Sequence, residues 1–221
     1  MISIVIPCYE MAGRGLEMLR ELVDSTRQQQ FRNFEIIVSD DGVPGLKEFC
    51  LLHNLKYVTG KSGAAANLNN AIDHATRDII KPMFQDDKFI EPDTLQKIYN
   101  ASQVNGWLAC TSHNEGEGFT TYDHVPYPHT SIKQLREGAN TYGAPSAMAW
   151  RRNDLRFDEN LKWLFDCEFY ARMAERYGVP AFVDTPIYIR QWQGQATYTV
   201  ATEQQRILDK NYVIQKYREL V

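Results

Sequence analysis

The chain of 221 residues is short of cysteine, of excess positive charge and of long apolar runs, and each shortage closes off a class of protein. Its four cysteines, Cys8, Cys50, Cys110 and Cys167, stand far apart without a Cys-x-x-Cys spacing. Neither a disulfide framework nor a zinc ribbon is expected, and the thiols are read as reduced. The net charge is −4 with no basic block, which removes any general electrostatic reason to bind nucleic acid or an anionic membrane surface. Arg151, Arg152 and Lys162 are the nearest candidates for a local basic group that could make phosphate contacts. No apolar stretch approaches the ~20 residues that span a bilayer. Residues 1–7 are apolar but lack a basic leader, so the expected location is cytoplasmic, or peripheral to a membrane. Repeats and low-complexity tracts are absent.

What remains is an ordinary soluble composition, 43% hydrophobic and 24% charged, with aromatics rich at 12%. The length suits one continuous α/β unit. Short β-branched runs alternate with amphipathic stretches, the pattern of a mostly parallel sheet flanked by helices. Strands are expected at residues 2–6 (ended by Pro7), 35–39, 57–58, 79–84 and 107–111. Helices are expected at 16–30, 45–53, 64–75, after Pro92 in a first turn, at 166–177 and at 203–220, the last carrying Ile207, Leu208, Val213, Ile214, Tyr217 and Leu220. Residues 113–129 read as a long loop, 142–150 as extended and 181–190 as strand around Pro186.

In such sheets ligands gather beyond the carboxyl ends of the strands. Three polar clusters fall at expected strand ends: Tyr9-Glu10, Asp40-Asp41 and Asp86-Asp87. Adjacent carboxylates repel and cost desolvation, so Asp86 and Asp87 call for a partner. Mg²⁺ or Mn²⁺ takes only one or two protein carboxylates and completes its shell from a diphosphate and water. The other reading of the pair is a helix cap before Pro92. His113, His124 and His129 lack the spacing of a zinc site.

Taken in order, Ser3-Ile4-Val5-Ile6-Pro7-Cys8-Tyr9-Glu10, Glu35-Ile36-Ile37-Val38-Ser39-Asp40-Asp41-Gly42, Asn67-x-Asn69-Asn70-Ala71-Ile72 and Phe84-Gln85-Asp86-Asp87 are successive landmarks. They are followed by Phe157-Asp158-Glu159-Asn160-Leu161 and Phe165-Asp166-Cys167-Glu168-Phe169-Tyr170-Ala171-Arg172. The set resembles the family 2 glycosyltransferases over roughly residues 1–190. The resemblance implies a GT-A (Rossmann-like) fold and inverting transfer of a monosaccharide from a nucleotide-diphosphate donor, uridine diphosphate by default. It implies a nucleotide-sugar half over 1–111, an acceptor and catalytic half over 112–200 and a C-terminal helix over 201–221. Carried over by position, Pro7, Tyr9, Glu10, Asp40, Asp41, Asn67 and Asp86 border the nucleotide. Asp86 and Asp87 hold the metal and diphosphate, and Asp166 is the general base.

A base of this kind must lie opposite the leaving diphosphate and accept the acceptor's proton; no general acid is needed where a metal stabilises the leaving group. Asp166 also reads as a cap for its helix. Departures from the family pattern are Phe84 where a further Asp often stands, Ala66 where an Arg often stands, and Arg190-Gln191-Trp192 in place of a late His that serves as third metal ligand. Lys61 is a substitute for the missing Arg or an exposed loop lysine. Arg190 offsets diphosphate charge or is structural, and Trp163 stacks on an acceptor or belongs to the core. Two other functions are weighed. A dinucleotide oxidoreductase needs a third glycine after Gly13-x-Gly15, where Met18 stands. A nucleotide-sugar-binding protein without catalysis would have little use for Asp166.

Overall fold

The computed structural model describes residues 1–127 and 129–218. In chain order its first half comprises β1 (Ile2–Tyr9), α1 (Gly15–Arg27), β2 (Phe34–Asp41), α2 (Leu46–Leu52), β3 (Lys56–Thr59), α3 (Ala64–Asp73), β4 (Ile79–Pro82), β5 (Lys88–Phe89) and α4 (Thr94–Ser102). There follow β6 (Trp107–Glu115), β7 (Tyr122–His124), α5 (Ile132–Arg136), a 3₁₀ turn (Pro145–Ala147), β8 (Met148–Arg151), α6 (Phe165–Tyr177), β9 (Ala181–Arg190), α7 (Ala196–Thr199) and α8 (Glu203–Arg218).

The β-branched run of β1 favours extended backbone, and the two-residue period turns Ile2, Ile4, Ile6 and Cys8 to one apolar cluster and Val5 to another. Helices α1, α2 and α4 cover the first face through Leu19, Leu46 and Leu95; α3 and α6 cover the second through Leu68 and Phe169. With both faces buried, the central strands read as continuous apolar runs. The strand order is β3-β2-β1-β4-β8-β6-β9-β5, with β7 paired to β6. Strands β3, β2, β1 and β4 are mutually parallel, so their carboxyl ends open on one edge. Beyond β4 the sheet is mixed, since β8 runs antiparallel to both its neighbours.

Several local expectations change. Pro7 lies inside β1, which pairs on to Tyr9 opposite Asp41; a single missing N–H does not end a strand held on both sides. Pro92 precedes α4 rather than starting it, and its carbonyl accepts the Gln30 N–H at 2.7 Å. Residues 113–115, expected in a loop, continue β6, and the chain returns as β7 with His124 opposite Ser112. Pairing to β9 on one side and β7 on the other overrides the turn-rich composition of that stretch.

Helix α8 docks through one polar and one apolar buried residue, Asp209 and Val213, while Ile207, Leu208 and Ile214 are exposed. Leu220 lies outside the described residues. Among the described residues no helix is long and apolar enough to cross a membrane. The guanidinium groups of Arg151 and Arg152 are occupied by carbonyls of Ser102, Gln103 and Ala75, whereas Lys162 lines a cavity elsewhere.

Candidate active site

The parallel strands end at a cavity of about 580 Å³ whose wall includes Pro7, Tyr9, Asp41, Asn67, Asp86, Asp87 and Trp192. Asp40 is turned into the protein: Oδ1 accepts the Val43 N–H at 2.7 Å and Oδ2 the Tyr57 hydroxyl at 2.9 Å. Asp41 reaches the cavity and accepts the Gly63 N–H at 3.3 Å. Asn67 is a brace, accepting from the Ser39 hydroxyl at 2.5 Å and donating to the Cys8 and Ser39 carbonyls, which ties α3 to the ends of β1 and β2. A Cβ on Gly60 would sit 2.4 Å from the Asn67 Oδ1, so the chain passes there only as glycine. Glu10 is half-buried, and its Oε2 has no hydrogen-bond partner among the described residues. Lys61 is exposed and outside the cavity wall.

Asp86 and Asp87 are 7% and 5% exposed, and neither caps a helix. One Asp86 oxygen, Oδ2, accepts the Trp192 indole N–H at 3.1 Å, and Asp87 Oδ1 accepts the Arg190 backbone N–H at 3.1 Å. Burial pushes the Asp86 carboxyl above its ordinary range, and burial reinforced by the Asp86 charge pushes Asp87 well above it. Two adjacent buried carboxylates that stay raised despite the Trp192 and Ser146 hydrogen bonds and the Arg190 and Lys81 charges fit a divalent cation. Among the described residues no third His, Cys, Asp or Glu joins them, so the remaining ligands of such an ion would come from substrate and water. The Arg190 guanidinium pairs with Glu21 on α1 at 2.5 Å and donates to the Asp86 carbonyl at 3.1 Å, and its charge acts against burial to lower the Asp86 carboxyl.

A second cavity, about 420 Å³, shares Ala144, Pro145, Ile189, Gln195 and Thr197 with the first and is lined by Asp166, Lys162, Trp163 and Gln191. Asp166 stands in the first turn of α6, where Oδ1 accepts the adjoining Cys167 N–H at 2.7 Å and Oδ2 the Asn140 amide at 2.7 Å. Burial raises its carboxyl to about 6. The groups ahead of α6 are instead capped from α8: Asp209 Oδ2 accepts the N–H groups of Lys162, Trp163 and Leu164 at 3.1, 2.7 and 3.0 Å. Trp163 lines the cavity and lies under Arg206, whose guanidinium is 4.9 Å from its ring.

Sequence reasoning passed over four residues. Gln85 mimics a strand neighbour, accepting the Tyr9 N–H at 2.6 Å and donating to the Tyr9 carbonyl at 3.0 Å. Lys81 is fully buried in β4 and bonds the Ser146 and Pro82 carbonyls, with burial lowering its ammonium to about 8. Ser146 receives the Phe84 N–H at 2.8 Å and bonds the Asp87 carboxylate. A lysine inside an otherwise apolar run, Ile79 to Phe84, was the available signal. Asn140 carried none, because its partner is 26 residues away.

Residues 3–157 match the family described as glycosyl transferase family 2. No curated protein matches the chain. The fold is similar to that of Staphylococcus aureus TarS residues 1–349 in complex with UDP, with a TM-score of 0.62 at 18% identity over 87% of this chain. This chain covers 61% of that one. It is also similar to the Pyrobaculum calidifontis mannosyltransferase PcManGT in complex with GDP-Man and Mn²⁺ (TM-score 0.58, 17% identity, 85% of this chain and 56% of that one). A third likeness is to Mycobacterium tuberculosis glucosyl-3-phosphoglycerate synthase with Mn²⁺, UDP and glucosyl-3-phosphoglycerate (TM-score 0.61, 14% identity, 96% of this chain and 79% of that one).

Proposed function

The chain belongs to glycosyl transferase family 2, and on that premise we propose that it transfers a monosaccharide, with inversion, from a nucleotide-diphosphate sugar to an acceptor hydroxyl. The observation that carries this reading is the buried Asp86-Asp87 pair facing a cavity that shares a wall with the one holding Asp166. On this reading residues 1–111 serve as the donor half and 112–200 as the acceptor half, which α8 (Glu203–Arg218) braces. The nucleotide lies along Pro7, Tyr9 and Asp41, and Trp192 closes the diphosphate end. Asp40 and Asn67 act behind this surface, shaping it. UDP is the default donor nucleotide, a choice supported by the UDP in TarS and the mycobacterial synthase.

Asp86 and Asp87 would hold Mn²⁺ or Mg²⁺, whose charge stabilises the departing diphosphate. In the reaction the acceptor oxygen bonds to the anomeric carbon while the bond from that carbon to the diphosphate oxygen breaks. Its electron pair leaves with the nucleotide, and the acceptor proton passes to Asp166. The Cys167 N–H and the Asn140 amide fix the Asp166 carboxylate, so little reorganisation accompanies proton transfer. Arg190 orders the metal-binding turn from behind through the Asp86 carbonyl, and Gln191 and Trp163 contribute to the acceptor wall.

The test is calorimetric titration with a panel of nucleoside diphosphates in Mn²⁺ and then in chelator. Binding of one nucleotide that disappears with chelator is the expected result; binding to none contradicts the donor site. Metal-dependent binding without sugar release would point to a binding protein that does not catalyse.

A further inference from the structure

The turn that follows β9 presents three hydrogen-bond donors to the Asp86-Asp87 pair. The Arg190 backbone N–H reaches Asp87 Oδ1 and the Arg190 side chain the Asp86 carbonyl, both at 3.1 Å. The third donor is the indole N–H of Trp192, which reaches the Asp86 carboxylate itself, at Oδ2 and 3.1 Å. Trp192 stands with both carboxylates in the wall of the larger cavity.

The turn is built around this pose of the indole. Gln195 ties it across: Oε1 accepts the Trp192 backbone N–H at 3.4 Å, Nε2 donates to the Arg190 carbonyl, and its own N–H bonds the Trp192 carbonyl at 3.1 Å. A Cβ on Gly194 would overlap the Trp192 ring, so the glycine is there for space. Below the turn, Arg190 is anchored to Glu21 on α1 at 2.5 Å.

An indole N–H is a donor only, so it cannot ligate a cation. It can hold a ligating carboxylate in one orientation and stabilise its negative charge. Hydrogen bonds of this outer kind set metal affinity by about 10–100-fold where they have been removed from other sites.

Resting on the assignment of Asp86 and Asp87 to the metal, we propose that Trp192 is a positioning residue for the cation. Its N–H fixes the Asp86 carboxylate in the orientation that coordinates, and Gly194 and Gln195 hold the indole in place to do so. A tryptophan that only walled the cavity would contribute to nucleotide binding and leave the cation's own affinity unchanged.

The probe is Mn²⁺, counted as the free ion by its electron paramagnetic resonance signal. It is titrated into nucleotide-free protein and into protein with UDP, for wild type, for Trp192→Phe and for a chain carrying benzothienylalanine at position 192. The last keeps the fused ring and its packing on Gly194 but has sulfur in place of the N–H. Both altered proteins should need about tenfold more Mn²⁺ for half-saturation. Matching Mn²⁺ affinity in all three proteins would overturn the proposal. A loss in Trp192→Phe that benzothienylalanine repairs would assign the effect to ring shape and overturn the role of the N–H. Wild-type protein that binds no Mn²⁺ with or without UDP would overturn the metal assignment itself, and the proposal with it.

Discussion

The two cavities are built in opposite ways. The larger takes its polar groups from strand ends and the turns after them, so Tyr9, Asp41 and Asp86-Asp87 arrive together because parallel strands stop on one edge. The smaller collects single residues from β6, β7, the loop after α5, the start of α6 and the segment after β9. The first brings two adjacent carboxylates together, with the Arg190 and Lys81 charges acting against their burial, whereas the second holds one carboxylate amid amides. On the reading proposed above, a bound cation would offset the buried charge of the first. A site made by scattered contacts must fix each group by hydrogen bonds, as Asn140 and Cys167 fix Asp166.

The sharpest way to separate the two is Asp166→Asn, which removes the proposed proton acceptor and nothing at the larger cavity. Turnover, read as nucleoside diphosphate release once an acceptor is supplied, should fall by roughly 10²–10⁴-fold with donor affinity close to wild type. A comparable loss of donor binding would merge the two sites into one.

On the larger cavity, Lys81→Met asks whether a buried cation supports the pair. The Lys81 ammonium sits at about 8 when folded against an ordinary 10.5, so the unfolded chain binds the extra proton in that window. The stability of wild type relative to the methionine variant should therefore rise by about 3 kcal/mol between pH 8 and 10.5. Denaturant unfolding across that range checks it, and a flat difference would mean Lys81 is not held as described.

On the smaller cavity, the Asp166 value of about 6 sets the pH dependence. Turnover should fall about tenfold per unit below pH 6 and be level above 7, in a pH profile at saturating donor. Because burial raises this carboxyl from 3.8, its contribution to stability is full below about pH 4 and is lost as pH rises through 6. The smallest effect belongs to Asp209→Ala, which strands three N–H groups ahead of α6. A loss of about 1–2 kcal/mol in stability is expected, with kcat lowered a few-fold and donor affinity unchanged.

The same contrast explains what was legible in the sequence. The β-branched runs and the acidic turns after them are local signals, so the α/β architecture and the positions of Asp41, Asp86 and Asp87 could be read directly. Asp40 and Asp41 could not be told apart locally, because neighbouring carboxylates alternate in direction along a strand end: one meets Tyr57 and Val43, the other the cavity. The two readings of Arg190 could not be separated locally, because the partner of its guanidinium, Glu21, is 169 residues away. The β6–β7 hairpin, and with it His124, was hidden under a composition typical of loops, since strand pairing is a long-range property. The polar docking of α8 through Asp209 was concealed by its apolar residues, of which Ile207, Leu208 and Ile214 face solvent.

The central claim is a division of labour, with donor and metal at Asp86-Asp87 and proton transfer at Asp166. Titrating UDP, with and without Mn²⁺, into wild type, Asp87→Ala and Asp166→Asn side by side tests it most directly. The account predicts metal-dependent binding in wild type and Asp166→Asn at matching affinity, and a loss of about 10–100-fold in Asp87→Ala. Equal affinity for Asp87→Ala and wild type in Mn²⁺ would contradict it.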